Sequence, residues 1–514
     1  MDYSQFLLMH HEIGLLIVFI LVFLFDTFGC KKVQGSLSVT TLVLFGAFTV
    51  YGFFAPQQTG EAFAGMYATS PIVASIKNIL NIGMFIVLLQ SIKWNNSETQ
   101  SVRRGEFLEL MLVTLFGMYL MVSARHFLIF VIGLETASLP LAALAAFDKK
   151  QYESHEAAVK YLFTAVFSSA IYMLGLSFVY AFTGSLYFSD IAASVMLVDG
   201  QFLLYVAMAF VIAGIGFKIS LVPFHLWTAD VYQGAPTSVT SYLSVVSKGA
   251  AAFAAFVVLT QAFGAVYSQV WEWMLYALII LTITLGNLFA IRQTNMKRFL
   301  AFSSISQAGY IMLGVIACNA TGVASLSYYV LVYVVSNLAA FGVIQAIENA
   351  TGKVDMTDYN GLYKTNPKLS FAMMLAMFSL GGIPPFAGFF SKFFIFSSAL
   401  EGGSVAVYVL VFIALLNTII SLYYYLLVVK AMFINPNDNP IASFILRQRQ
   451  GFATCIYPAV LANCHIARHF KAAALFDFND RSIGKGETHI KINMHILAND
   501  NMNSRHNCVN LLYR

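Results

Sequence analysis

Two stretches of the chain decide its fold: residues 214–225 read GIGFKISLVPFH, and residues 381–392 read GGIPPFAGFFSK. Each stretch lies in a long apolar run and combines glycine and proline with one lysine. Glycine and proline interrupt a helix and free backbone groups that lipid cannot satisfy. Broken helices at corresponding places in two halves of a chain are typical of a transport site inside a membrane. The two stretches therefore predict discontinuous helices around a polar interior.

The composition around these stretches is that of a membrane protein. Of 514 residues, 59% are hydrophobic and 10% are charged, whereas soluble domains carry about 25% charged residues. Such a chain cannot cover a water-facing surface, which excludes a soluble globular enzyme and a disordered polymer. Most of the net charge of +5 comes from residues 435–514, so no nucleic-acid partner is indicated. We expect the lipid bilayer to surround most of the chain.

Apolar runs long enough to span a bilayer occur thirteen times, and all have a helical pattern. The predicted spans are 13–28, 36–55, 71–92, 106–124, 126–147, 155–183, 202–223, 236–262, 270–291, 298–318, 322–347, 369–397 and 404–434. The first run lacks a cationic start and an A-x-A cleavage site, so we interpret it as a retained span. The fold class predicted is an all-α polytopic membrane bundle.

Loop charges predict the orientation of this bundle. Loops after odd-numbered spans hold thirteen Lys or Arg residues, whereas loops after even-numbered spans hold only Arg125. The loop after the seventh span is an exception, with Asp230 and no basic residue. Because basic loops stay in the cytoplasm, we expect the N-terminus outside and the odd loops inside.

The broken spans also predict an internal repeat. Spans 4–8 and 9–13 form two groups of five, and the broken, lysine-bearing span is the fourth of each group. An odd number of spans per repeat makes the two repeats inverted in the membrane. The predicted domains are an N-terminal three-span segment (1–105), two five-helix repeats (106–262 and 270–434) and a polar tail (435–514).

Six of the charged residues inside predicted spans are the most informative, because a charge costs roughly 2.5–3.5 kcal/mol at the bilayer centre. They are Lys77, Glu135, Lys160, Lys218, Lys248 and Lys392. Lys160 lies near the start of its span and could snorkel to the surface, and Lys77 is similarly ambiguous. Burial disfavours a charged lysine and a nearby carboxylate favours it, so such lysines can take up and release protons, which arginine cannot. The pattern favours proton transfer over static pairing.

Motifs for cofactor chemistry are absent from the sequence. Its five cysteines form no CxxC, and there is no GxGxxG, Walker loop or HExxH. We therefore expect no nucleotide, flavin, iron–sulfur or metal site in this chain. Cys464, His465 and His469 could form a metal site in the tail, but we favour a polar tail with incidental ligand-type residues.

Four segments carry a resemblance to a known family. They are GLETASLPLAALAAF (133–147), FKISLVPFHLWTADVYQGAPTSVTSYLSVVSKGAAAF (217–253), KRFLAFSSISQAGY (297–310) and GGIPPFAGFFSKFFIF (381–396). Together they resemble the antiporter-like membrane subunits of the proton-translocating NADH–quinone oxidoreductase, bacterial complex I. The GLE-x-x-SLPL element favours the subunit N branch, and the resemblance covers roughly residues 10–434.

The resemblance implies a proton relay at mid-membrane formed by Glu135, Lys160, Lys218, Lys248 and Lys392. It implies that Glu135 with Lys160 or Lys218 is an electrostatic switch, that Lys248 is the central relay, and that Lys392 is a gate. The supporting residues expected around the relay are Pro223, His225, Gln307, Pro384 and Pro385. NADH, flavin, iron–sulfur clusters and quinone are implied only in partner subunits, and the partners are other membrane subunits of complex I in the bacterial plasma (inner) membrane.

The sequence departs from the family at two places. Gln307 stands where the family often has a histidine, so water would carry the proton there because an amide does not titrate. The tail replaces an expected fourteenth span, as an altered reading frame or a truncated gene would produce. Two alternatives remain open: a membrane subunit of a multi-subunit cation/proton antiporter or membrane-bound hydrogenase, and a purely structural membrane anchor.

Overall fold

The computed structural model describes residues 3–29, 31–56, 58–97, 100–195, 201–266, 271–401, 403–437 and 441. The expectations for the tail beyond residue 441, including the ligand set Cys464, His465 and His469, lie outside the described residues.

Three long helices and a β-hairpin form the first part of the chain. They are α1 His10–Phe28, α2 Lys31–Phe54, β1 Gly60–Ala62, β2 Tyr67–Thr69 and α3 Pro71–Asn95, with 3-10 helices at Tyr3–Met9 and Ser101–Arg103. The two strands pair antiparallel, and the carbonyl of Met66 between them accepts a 2.9 Å hydrogen bond from the Arg125 amide. The hairpin, which the search for apolar runs did not predict, therefore covers one end of the helices.

The second part of the chain contains the first broken helix. Its helices are α4 Arg104–Ser123, α5 Phe127–Ala145, α6 Tyr152–Thr183, α7 Phe188–Ser194, α8 Gln201–Ile219, α9 Leu226–Gly234, α10 Thr237–Tyr242 and α11 Lys248–Gln261. A π-helical turn, Leu243–Ser247, joins α10 to α11, and a 3-10 turn follows at Gly264–Val266. π-Helical turns inside helices are frequent at functional sites, and this one leads directly into Lys248.

The third part of the chain repeats this arrangement. Its helices are α12 Glu272–Ile291, α13 Met296–Ile316, α14 Ala320–Thr351, α15 Leu362–Thr365, α16 Pro367–Gly381, α17 Ala387–Leu400 and α18 Val405–Phe433, with a 3-10 helix at Met356–Tyr359. An isolated antiparallel bridge joins His126 before α5 to Tyr187 after α6, and an equivalent bridge joins Asn295 before α13 to Asp355 after α14. These matching bridges support the predicted repeat.

Twelve helices in the described part of the chain are long and apolar enough to cross a membrane. They match twelve of the thirteen expected spans. The remaining expected span, 369–397, consists of the shorter apolar helices α16 and α17. The chain is thus an all-α, multi-pass membrane protein, as predicted.

Both predicted breaks are present, and neighbouring groups satisfy backbone atoms that each break frees. In the first, α8 ends at Ile219 and α9 begins at Leu226. The Val222 amide in this gap donates to the Thr282 hydroxyl at 2.9 Å. In the second, Gly382 ends α16 in the left-handed region, at φ +80°. This turn brings α17 back against α16.

Candidate functional site

Lys218 lies in the last turn of α8, immediately before the first break. Its side chain is buried, and its ammonium donates to the Ser138 hydroxyl at 2.7 Å and to the Tyr161 hydroxyl at 3.4 Å. The C-terminal end of a helix carries partial negative charge, which stabilises a cation there. The lysine is therefore held in the protein interior by a helix end and two hydroxyl groups rather than by an ion pair.

Glu135 is the carboxylate of α5, the helix whose Ser138 binds Lys218. It lies on α5 one turn before Ser138 and is partly buried, and its Oε1 atom has no hydrogen-bond partner. A buried carboxylate oxygen without a partner is costly. Such an atom is suited to changing partners, which is what an electrostatic switch with Lys218 would need.

Lys160 belongs to a different cluster, at the end of the bundle where α6 begins. Its ammonium pairs with Glu156 at 2.7 Å and with Asp230 at 2.6 Å, and its side chain is 42% exposed. Asp230 also pairs with Arg298 of α13 at 2.6 Å. The structure thus pairs Lys160 with two acidic residues other than Glu135. Because Asp230 bridges α6 and α13, this cluster links the two repeats.

Lys248 lies at the first position of α11, directly after the π-helical turn. It is 1% exposed, and its ammonium donates to the Ser304 hydroxyl at 2.6 Å and to the Ser304 carbonyl at 3.1 Å. The Ser304 hydroxyl also lies within hydrogen-bond distance of the Tyr333 hydroxyl at 2.9 Å and of the Ser244 hydroxyl at 3.2 Å. Asn337 donates to Ser244 at 2.6 Å. The central lysine is therefore part of a hydroxyl-rich network that sequence reasoning did not identify.

Lys392 lies on α17, just after the second break. Its buried ammonium donates to the carbonyls of Leu380 and Gly381, at 3.0 and 3.3 Å, which the end of α16 leaves free. The Gln307 amide donates to the same Leu380 carbonyl at 3.3 Å. Gln307 also accepts from the Tyr329 hydroxyl. The break itself therefore supplies the groups that hold this lysine.

A small cavity lies beside Lys392 and extends to Tyr333, a neighbour of the Lys248 network. Its lining includes Lys392, Gln307, Tyr329 and Tyr333, and Tyr333 is hydrogen-bonded to Ser304 beside Lys248. The cavity has room for about one water molecule. One water there would complete a hydrogen-bonded connection between the two lysines.

Aromatic side chains fill the space between Lys218 and Lys248. The ring of Tyr161 lies 5.1 Å from that of Trp227, and Trp227 lies 6.3 Å from Tyr232. The Lys248 ammonium lies 5.8 Å from the centre of the Tyr232 ring. Contacting rings therefore lie between Lys218 and Lys248, and the Tyr161 hydroxyl at one end is hydrogen-bonded to Lys218.

The two repeats place polar groups at equivalent positions. Glu135 lies nine residues after His126, the N-cap of α5, and Ser304 lies nine residues after Asn295, the N-cap of α13. Ser138 and Gln307 each lie three residues further on. Comparing the two repeats position by position would have distinguished Ser304 from the other serines of its segment.

One tyrosine of each repeat also occupies an equivalent position. Tyr161 of α6 and Tyr329 of α14 lie 23 residues before the glycine that ends their helix. Tyr161 contacts Lys218, and Tyr329 donates to Gln307 beside Lys392. Each repeat therefore combines a lysine at a helix break with a tyrosine and a polar side chain from the neighbouring helix.

The other expected supporting residues lie in or beside the two breaks. Pro223 is exposed between α8 and α9, and Pro384 and Pro385 are exposed between α16 and α17. His225 caps α9, is buried, and has no hydrogen-bond partner at Nδ1. We assign the prolines to shaping the breaks rather than to contacting the lysines.

Lys77, which the sequence left ambiguous, is buried in the N-terminal part of the chain. Its ammonium pairs with Glu12 of α1 at 2.6 Å and donates to the Tyr67 hydroxyl of the hairpin at 3.1 Å. Sequence reasoning missed Glu12 because it precedes the first predicted span. The structure shows that it lies in the first turn of α1 and is buried.

Comparisons with known proteins agree with this architecture. Residues 124–421 match a family described as NADH:quinone oxidoreductase/Mrp antiporter, transmembrane. The chain is 55% identical over 444 residues to the NADH-quinone oxidoreductase subunit N of Azobacteroides pseudotrichonymphae, covering 86% of this chain and 91% of the relative. It is 53% identical over 445 residues to subunit N of Phocaeicola vulgatus, covering 86% and 92%.

A solved structure has the same fold. The chain is similar to a chain of respiratory complex I from Thermus thermophilus with bound aureothin, with a TM-score of 0.72 and 28% sequence identity. The similarity covers 90% of this chain and 99% of that chain.

Proposed function

The chain belongs to the subunit N family of NADH-quinone oxidoreductase, and from this premise we propose that it moves protons along a mid-membrane axis of lysines, polar side chains and water. The observation that carries the proposal is the placement of Lys218, Lys248 and Lys392. All three are buried, and all three bind hydroxyl or carbonyl groups instead of a fixed counter-ion. A lysine held by neutral groups can lose and regain its proton without leaving an unpaired carboxylate behind.

In this proposal Glu135 and Lys218 form the switch. The carboxylate favours the protonated lysine while it is close, and the lysine releases its proton when the carboxylate turns away or is neutralised. The unpartnered Oε1 atom of Glu135 supports this role, because no other hydrogen bond holds that oxygen in place. The switch determines when a proton leaves Lys218 for the centre of the axis.

Lys248 then serves as the central relay and Lys392 as the gate. A proton on Lys248 can pass through the Ser304 and Tyr333 hydroxyls to water in the cavity beside Lys392. Hydroxyl groups suit this task because each can donate and accept a hydrogen bond. Gln307 orients that water without titrating.

Lys160 is assigned to the edge of the axis. Its ion pairs with Glu156 and Asp230, and its partial exposure, support exchange of protons with the end of the bundle where α6 begins. A proton would reach Lys218 from there past Tyr161, which lies next to Lys160 in α6.

The energy for the movement comes from partner subunits. We propose that NADH, flavin, iron–sulfur clusters and quinone react there, that the partners in the membrane are other complex I subunits, and that this chain contributes no redox centre. We also propose a location in the bacterial inner membrane with the N-terminus outside, supported by the asymmetry of loop charges. The 55% and 53% identities to subunit N favour this assignment over an antiporter or hydrogenase subunit.

Replacing Lys218 with Ala tests the proposal in the assembled complex. We expect NADH-driven acidification of inside-out membrane vesicles to fall by about tenfold or more, because the switch loses its proton-carrying group. Lys149→Ala is the matched control, since Lys149 is exposed in the loop between α5 and α6. Unchanged pumping by Lys218→Ala in a fully assembled complex would contradict the proposal and favour a structural anchor.

A further inference from the structure

A second buried charged cluster lies outside the axis, in the N-terminal part of the chain. Glu12 and Lys77 pair at 2.6 Å with side chains 2% and 1% exposed, and the Tyr67 hydroxyl donates to the other Glu12 oxygen at 2.9 Å. Tyr67 also accepts from Lys77 at 3.1 Å. The three side chains thus form a closed triangle beneath the β-hairpin. Burying an ion pair costs desolvation energy that its attraction often fails to recover, so stability alone is a weak reason for this pair.

The cluster lies close to one end of the bundle. We define the N-terminal face as the end formed by the β-hairpin and by the starts of α1, α3 and α5. Glu12 is in the first turn of α1, and the preceding His10 is only half-buried. The ring of His10 lies 4.3 Å from that of His11, the residue immediately before Glu12. The histidines therefore connect the pair with the N-terminal face.

A row of polar side chains extends from the same cluster into the bundle. The Lys77 ammonium lies 5.6 Å from the centre of the Tyr119 ring. The Tyr119 hydroxyl donates to Asn81, which is fully buried one turn further along α3. The Nδ2 atom of Asn81 has no hydrogen-bond partner. A buried amide with an unused donor is a natural place for a bridging water.

This row ends beside the element that carries Lys248. Tyr119 shares α4 with Thr114 and Met118, and the Tyr242 hydroxyl lies 2.8 Å from the Thr114 hydroxyl and 3.7 Å from the Met118 sulfur. On α3, Leu80 packs against Gly249, next to Lys248. Helix α3 therefore carries the polar row from the N-terminal face as far as Asn81, and the adjacent Leu80 lies beside Gly249.

We propose that the Glu12–Lys77 pair is the last station of a branch that carries protons between Lys248 and the N-terminal face. Protonated Lys77 gives its proton to the Glu12 carboxylate, which leaves a neutral amine beside a neutral carboxylic acid. The acid then releases that proton toward His10, and the amine takes up another from the Tyr119–Asn81 side. The proposal rests on the function proposed above, since Lys248 is its source or destination.

Three substitutions in the assembled complex test the branch. Glu12→Gln removes the titrating group at nearly constant shape, and Tyr119→Phe removes a single hydroxyl. The double variant Glu12→Gln with Lys77→Met removes both charges, so that neither charge is left buried without its counter-charge. We expect the number of protons pumped per NADH oxidised, measured in vesicles, to fall at least about twofold in each. The matched control is Glu61→Gln, an exposed carboxylate on the hairpin.

A normal ratio of protons to NADH in assembled Glu12→Gln and Tyr119→Phe complexes would overturn the branch. So would variants that only lower the amount of assembled complex, because that result marks a structural clamp. If the charge variants fail to assemble, Tyr119→Phe decides alone. Lys248→Met is measured in parallel. If Lys248→Met loses pumping while Glu12→Gln pumps normally, the branch is refuted and the axis is not. If Lys248→Met pumps normally, the proposed axis itself is refuted.

Discussion

At the scale of single residues, the lysines of the axis share a preference for neutral partners. Lys218 and Lys248 donate to serine hydroxyls, and Lys392 donates to freed carbonyls. Lys77, in contrast, has a directly paired carboxylate. A neutral partner stabilises the charged lysine less than a carboxylate does. The charged and neutral forms of these three lysines are therefore closer in free energy than those of a paired lysine.

Ser304→Ala tests the role of neutral partners. We expect slower proton pumping with normal assembly, because Lys248 and Tyr333 both lose their hydroxyl acceptor. Leaving a buried donor unsatisfied costs about 1–3 kcal/mol. The measurement is NADH-driven acidification relative to the NADH oxidation rate.

Ser327→Ala is the control for this variant, since Ser327 is buried and bonds back to its own helix at the Val323 carbonyl. Equal pumping rates in the two variants would show that Ser304 has no part in the relay.

The charged members of the site could be predicted from the sequence, and their partners could not. A lysine in an apolar run is conspicuous because its burial is costly. Serine and tyrosine are unremarkable in such runs, so Ser304 and Tyr333 carried no signal on their own. The pairing of Lys160 with Asp230 was also beyond the sequence, because it joins helices whose packing depends on the three-dimensional arrangement of the spans.

At the scale of helices, the second break supplies the carbonyls that bind Lys392 and depends on a close approach of α17 to α16. A Cβ atom on Gly388 at the start of α17 would lie 1.7 Å from the Ser379 carbonyl oxygen of α16. Only glycine permits this contact. The close approach positions Lys392 on the carbonyls at the end of α16.

Gly388→Ala is expected to push α17 away from α16. Overpacking of this kind costs about 1–3 kcal/mol or more, so we expect a lower thermal stability of the complex and reduced pumping. Gly35→Ala is the control, because a Cβ at Gly35 of α2 would have no heavy atom within 4 Å. Thermal unfolding followed by the loss of intact complex measures the difference. Equal midpoints for the two variants would contradict the account of the second break.

The breaks and most spans could be predicted because apolar length, glycine and proline act locally. The β-hairpin of residues 60–69 could not, since its strands have three residues each and lack an apolar run. Glu12 was missed for a related reason. The first helix begins before its apolar core, so a charged residue in its first turn looked like part of a leading segment.

At the scale of the whole molecule, two similar units contribute groups to the proposed axis. Each repeat provides a broken helix with a lysine, a tyrosine at an equivalent position, and a polar residue on the neighbouring helix. Lys248, at the end of the first repeat, bonds to Ser304 in the second. The N-terminal helices add the Glu12–Lys77 pair on one side. In the proposed function, the fold joins these separate polar groups into one proton path.

The central claim is that water and polar side chains connect these lysines, and a cryo-electron microscopy structure of the assembled complex that resolves ordered waters tests it most directly. We expect a water in the cavity lined by Lys392 and Tyr333, and further waters linking the Tyr161 hydroxyl with the Tyr232 hydroxyl near Lys248. Dry side-chain packing at both places, with each lysine in a separate sealed site, would contradict the account.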